Sequence, residues 1–178
     1  MMRSPMFGNL SGSEEILLPV KPLYMAVTLL VALLANLLPL TGWALALRPD
    51  FVALVLLYWG IYQPRKIGFL PAFMLGLAMD VADGSLFGQH ALAYSAMMFA
   101  AIALHRRVSM FDMRHQIVHV LPILLIMQLI VLGVRHAAGD EFPGWWYFLS
   151  SITGALLWPA TDLLLKIPLR QRIDPDEA

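Results

Sequence analysis

The chain has no cysteine at all and very little charge. The missing thiols exclude disulfides, zinc–thiolate sites and thiol catalysis. Only 13% of its 178 residues are Asp, Glu, Lys or Arg, while 60% are hydrophobic. A soluble domain of this size carries about a quarter charged residues. A fold this small also has too little interior to hide so many apolar side chains. With a mean hydropathy of +0.72, the composition points to lipid as the solvent. The formal net charge is zero, which gives no hint of a nucleic-acid partner. Low-complexity linkers and internal repeats are lacking as well.

What is present is a series of six apolar segments: Leu23–Leu38, Phe51–Tyr62, Ile67–Val81, His90–Leu104, Ile117–Val134 and Trp145–Leu165. A bilayer-spanning helix takes about 20 residues. The first, fifth and sixth segments reach that length with small extensions, and the second is short, bounded by Arg48-Pro49 and Pro64. The first run is uncharged and longer than the apolar core of a secretory signal, and it reads as a retained helix. Segments three and four are joined by Asp83-Gly84-Ser85-Leu86-Phe87-Gly88, which leaves room only for a tight helical hairpin.

Charge placement supports the count of six. With the N-terminus inside, Arg3, Lys21, Arg65, Lys66, Arg106, Arg107, Arg114, Lys166, Arg170 and Arg172 fall on the inner side, and Arg48 and Arg135 on the outer. This is the asymmetry the positive-inside rule requires. The organisation expected is a cytoplasmic tail over 1–20, a six-helix transmembrane domain over 21–168 and a cytoplasmic tail over 169–178. Trp43, Trp145, Trp146 and Tyr147 at one side, and Tyr58, Trp59 and Tyr62 at the other, are placed to sit at the headgroup layers. For Trp59, helix–helix packing is an equal alternative.

Asp80 is the most informative side chain. At the C-terminal end of its helix it faces the negative pole of the helix dipole and is partly removed from water. Ala72, Gly76, Asp80 and Gly84 form a small-residue stripe that lets another helix approach closely. Arg48, on the antiparallel neighbour, is the expected ion-pair partner of Asp80 or Asp83. Pro49-Asp50 reads as a helix start with Asp50 as the N-cap. Asn36 and Gln128 are mid-span amides suited to bonding across helices. Asp162 and Lys166 are spaced to pair along one helix face, and Pro159 interrupts that helix. His115 and His119 share a face without a third metal ligand. Ser95 and Ser109 lack a paired base. The sequence holds no nucleophile triad, P-loop or zinc-hydrolase helix, so catalytic, cofactor and metal sites are not expected.

Arg48-Pro49-Asp50-Phe51, continuing through Leu56-Leu57-Tyr58-Trp59 to Pro64, resembles the second-span motif of the rod shape-determining protein MreD family. Gly76-Leu77-Ala78-Met79-Asp80, continuing through Gly84-Ser85 to Gly88 and Ala91, resembles the same family, as does Gly154-Ala155-Leu156-Leu157-Trp158-Pro159. The resemblance covers about residues 20 to 172. It implies a bacterial inner-membrane component of the cell-elongation machinery. Its partners would be the single-span periplasmic protein MreC and, indirectly, the actin-like MreB and the wall glycosyltransferase and penicillin-binding transpeptidase. It implies no catalytic activity. The implied fold is an all-α bundle of six transmembrane helices, similar to substrate-binding subunits of energy-coupling-factor transporters. Arg48, Pro49, Asp50, Gly76, Asp80, Asp83, Gly84, Gly88, Trp158 and Pro159 are then candidates for structural or partner contacts. The alternative function is a transport subunit that binds a small molecule or a lipid in an outward pocket.

Overall fold

The computed structural model describes residues 20–167, and the two expected tails lie outside these apart from Val20. Among the described residues every regular element is helical. The helices are α1 (Pro22–Asn36), α2 (Trp43–Leu47), α3 (Phe51–Tyr62), α4 (Phe69–Ala82), α5 (Gln89–Met110), α6 (Met113–Ala137) and α7 (Leu149–Lys166), with a 3₁₀ turn over Trp145–Phe148 leading into α7. The six long helices match the six apolar segments, and α2 is a short addition.

Three helical stretches are long and apolar enough to cross a membrane: Trp43–Tyr62, Met113–Ala137 and Trp145–Lys166. The first combines α2 and α3, so the segment that looked short reaches 20 residues through a break at Arg48-Pro49-Asp50. The first apolar run is shorter than expected: α1 has 15 residues, about 22 Å of helix. Helix α5 runs past its apolar segment into Arg106 and Arg107.

Helix α3 is the centre of the bundle. Its apolar residues run around the whole circumference, the pattern of a helix enclosed by others. Nine of its 12 residues are buried, so it packs on several sides, against α1, α5 and α7. Tyr58 and Trp59 belong to this core, so for Trp59 the helix-packing alternative holds. Trp59 Nε1 donates to Thr28 Oγ1 of α1 at 3.0 Å. Close approach comes from small residues. A methyl group on Gly60 would stand 2.8 Å from Met98 Sδ and 2.9 Å from Ala101 Cβ of α5.

The connectivity alternates, so the two ends differ in charge. Lys21, Arg65, Lys66, Arg106, Arg107, Arg114 and Lys166 collect at one end, called here the basic end. The turn between α4 and α5 lies at the other, the Asp80 end. At the basic end, Gln116 Oε1 accepts from Tyr62 Oη at 3.1 Å and from Trp158 Nε1 at 2.9 Å, joining α3, α6 and α7. Asp162 and Lys166 pair at 2.7 Å, as their spacing predicts. Pro159 lies within α7, where it has no N–H for the carbonyl of Ala155.

Candidate functional site

Two carboxylates organise the Asp80 end. The first is Asp80 itself, buried at the last turn of α4. Its Oδ2 accepts the backbone N–H of Gly88 at 2.8 Å. Its Oδ1 accepts the backbone N–H of His90 at 2.8 Å, and His90 Nδ1 lies 2.9 Å away. Ser85 Oγ donates to Oδ1 at 3.2 Å, and the Ser85 N–H donates to the Asp80 carbonyl at 3.0 Å. Gly88 and His90 open α5, so a side chain from α4 caps the N-terminus of the next helix. The sequence placed this carboxylate against the negative pole of its own helix. In the fold it keeps that position, and the positive pole of α5 meets it as well.

The partner of Asp80 is therefore His90. The expected pairing of Arg48 with Asp80 or Asp83 does not form. Asp83 is exposed, with its Oδ2 4.0 Å from His90 Nε2. The physical reason lies in the turn: six residues carry the chain from Ala82 to Gln89 and return α5 directly over Asp80. Gly88 makes the return with a φ of +98°, and Gly84 with +58°. Gly76 makes it close. A Cβ there would stand 2.3 Å from Ala91 Cα and 2.5 Å from Ala91 N. Ala72, Gly76 and Asp80 of the small-residue stripe are all buried, while Gly84 lies beyond the helix and is exposed.

The second carboxylate is Asp50. Its Oδ1 caps α3 by accepting the Ala53 N–H at 2.9 Å, the role its sequence position suggested. The same oxygen accepts Asn36 Nδ2 at 2.8 Å, and Oδ2 accepts Tyr94 Oη of α5 at 2.6 Å. Asn36 Oδ1 in turn accepts the Phe51 N–H at 2.9 Å. Arg48 closes the junction: its Nη1 donates to the carbonyls of Asn36 at 2.7 Å and Leu38 at 3.0 Å. A guanidinium thus caps the C-terminal end of α1, where carbonyls have no helical partner. Pro49, between Arg48 and Asp50, is buried. The Arg48-Pro49-Asp50 triplet ties the end of α1 to the start of α3 and to α5. Replacing Arg48 with Ala should lower stability by about 1–3 kcal/mol, through the lost carbonyl bonds. Thermal unfolding in detergent measures this, and Arg48→Lys should recover part of it.

Gln128 makes the third connection, from α6 to the start of α7. Its Nε2 donates to the Tyr147 carbonyl at 2.8 Å and to Ser150 Oγ at 2.6 Å, and its Oε1 accepts from Ser151 Oγ. Trp158 is fully buried at the basic end, far along α7 from this junction. His119 stacks on Phe111, and its Nδ1 meets the His115 carbonyl. Sequence reasoning missed His90, Tyr94 and Gln116. The available signal was a polar side chain within an otherwise apolar run.

Between these junctions lies a cavity of about 860 Å³ that opens at the Asp80 end. Its deeper wall includes Pro49, Met79 and Met127, and its rim includes Arg135, Asp140 and Trp146. The carboxylates of Asp50 and Asp80 are spent on joining helices, and each of their oxygens is met by a donor. The arrangement suits assembly of a bundle.

A family model described as rod shape-determining protein MreD matches residues 20–167. The rod shape-determining protein MreD of Haemophilus influenzae is 30% identical over 136 residues, covering 75% of this chain and 84% of that protein. No solved structure matches the chain.

Proposed function

The chain belongs to the rod shape-determining protein MreD family, and from that premise we propose that it is a scaffold of the cell-elongation machinery in the bacterial inner membrane. In this reading it binds an MreC-like single-span protein and so helps organise lateral peptidoglycan synthesis, with the MreB-like filament and the wall enzymes as indirect partners. It acts by assembly and not by chemistry. The observation that carries this is the use of its intramembrane polar groups. Asp50, Asp80, Asn36 and Gln128 are all consumed in tying helices together. Such a bundle offers a rigid surface to a partner.

That surface is apolar along its length. Val27, Leu30, Val31 and Leu34 of α1 are exposed, and an apolar recess of about 370 Å³ lies between α1 and α7 with Leu54 and Val55 of α3 lining it. A recess of this kind favours contact with another helix. The basic end faces the cytoplasm in this reading, on the positive-inside rule, and residues 1–20 and 169–178 are cytoplasmic tails. The transport alternative draws on the open cavity. The dense packing of Tyr58, Trp59 and Trp158 beyond it weighs against a path through the bundle.

Co-purification tests the scaffold. Tagged protein extracted in mild detergent should retain the MreC-like protein of its own cell in a fixed ratio. Extraction of the protein alone, with the MreC-like protein recovered separately in the same detergent, would overturn the reading.

A further inference from the structure

The cavity at the Asp80 end holds two groups that the helix junctions leave unsatisfied. Gln89 is only 2% exposed, lines the cavity, and its side-chain amide bonds to none of the described residues. Neither polar atom of that amide is sealed from the cavity, so both are open to a ligand there. Arg48 also lines the cavity and is half-buried. One of its terminal nitrogens, Nη1, holds two carbonyls, which leaves Nε and Nη2 to face other groups. Among the described residues no carboxylate lies within 4.0 Å of Arg48. The acids around it are already engaged. Asp50 accepts three donors, Asp83 lies at His90, and Asp140 is 3.0 Å from Arg135 Nε. Arg48 is thus a cation in a recess without its own counter-charge.

A guanidinium fork with free N–H groups suits a phosphate or carboxylate, and an amide N–H adds a second donor. The depth of the cavity decides between sources. Trp146 lies at its rim, stacked edge-on against Trp43 at 5.2 Å, and Trp43, Trp145 and Trp146 are all exposed. Exposed tryptophans gather at the headgroup layer of a bilayer, which is also where lipid phosphates stand. Leu45, Leu86 and Val131 add apolar surface beside the polar groups, as a glycerol backbone and the first acyl carbons require. We propose that this cavity receives the headgroup of one membrane phospholipid, with its phosphate on Arg48 and Gln89.

Native mass spectrometry of the delipidated protein in detergent tests this. The probes are phosphatidylglycerol, diacylglycerol with the same chains, and inorganic phosphate. The wild-type protein should keep a single phosphatidylglycerol at least about tenfold more tightly than diacylglycerol, since a bond to a charged phosphate supplies that factor. Gln89→Glu keeps the side-chain size but sets a carboxylate against the phosphate. It should weaken phosphatidylglycerol about tenfold or more while the lipid-free variant stays folded, checked by its thermal unfolding. Equal retention of the two lipids by the wild-type protein would overturn the proposal without reference to any variant. So would equal retention of phosphatidylglycerol by Gln89→Glu and wild type. Stabilisation by inorganic phosphate with no lipid adduct would assign the site to a soluble anion and overturn the lipid.

Discussion

Gly76→Ala should unfold the protein at a markedly lower temperature, at a cost of about 3 kcal/mol or more, although it adds one methyl group. That methyl would meet backbone atoms, at 2.3 Å from Ala91 Cα and 2.7 Å from the His90 carbonyl carbon. Backbone cannot rotate away as a side chain can. Relief comes only from moving α5 off α4, and overpacking of this kind costs 1–3 kcal/mol even where side chains can adjust. The move would also pull His90 and Gly88 away from Asp80, so two losses add. Gly133→Ala in α6 is the matched control, because nothing lies within 4 Å of its added Cβ. It should change stability by less than about 0.5 kcal/mol or raise it slightly. Thermal unfolding of both variants in one detergent separates them. Similar losses in the two would mean that α4 and α5 are not in close contact at Gly76.

The second large effect is expected at Asp80. Asp80→Ala removes the acceptor for the Gly88 and His90 N–H groups, the Ser85 hydroxyl and the His90 ring together. Donors left unpaired in a buried turn, with an unpaired imidazole, should cost about 3–5 kcal/mol. Asp80→Asn keeps one acceptor oxygen but turns an NH₂ toward a donor, for an expected loss of about 2 kcal/mol. His90→Ala leaves both backbone bonds to Asp80 in place and should be the mildest of the three. This order tests the reading of Asp80 as a helix cap. If His90→Ala cost as much as Asp80→Ala, the contact between the two side chains would be the dominant contribution.

The family is shown by the matches, but the physical basis of its motif became readable only in the fold. Features set by local spacing were legible in the sequence. Asp50 stands directly before an apolar helix and caps it. Asp162 and Lys166 stand one turn apart and pair. Six residues between α4 and α5 allow nothing but a tight turn. The amides of Asn36 and Gln128, alone in apolar runs, bond across elements as expected.

The rest depended on which residues a tertiary turn brings together. Arg48 looked like the partner of Asp80 because it was an unassigned cation on a neighbouring helix. The sequence did not reveal that α1 stops at Asn36 and leaves carbonyls for Arg48 to hold. His90 is ten positions beyond Asp80, and only the left-handed Gly88 swings its backbone and ring onto the carboxylate. The break between α2 and α3 was equally hidden, because Trp43–Leu47 is too short to show a period. Tyr94 and Gln116 read as ordinary members of long helices, yet Tyr94 ties α5 to the Asp50 junction and Gln116 joins α3, α6 and α7.

The enclosure of α3 has a consequence for how the protein is made. A chain grows from its N-terminus, so α3 enters the bilayer before α5 and α7 exist. The faces that α5 and α7 will cover are then wetted by acyl chains, which later give way to protein. Lipid tails are as apolar as leucine, so expelling them gains little by the hydrophobic effect. The driving force has to come from fit, at Gly60 against α5, and from the polar tie between Asp50 and Tyr94. An early-made part of the core is thus stabilised late, by residues of α5 and α7.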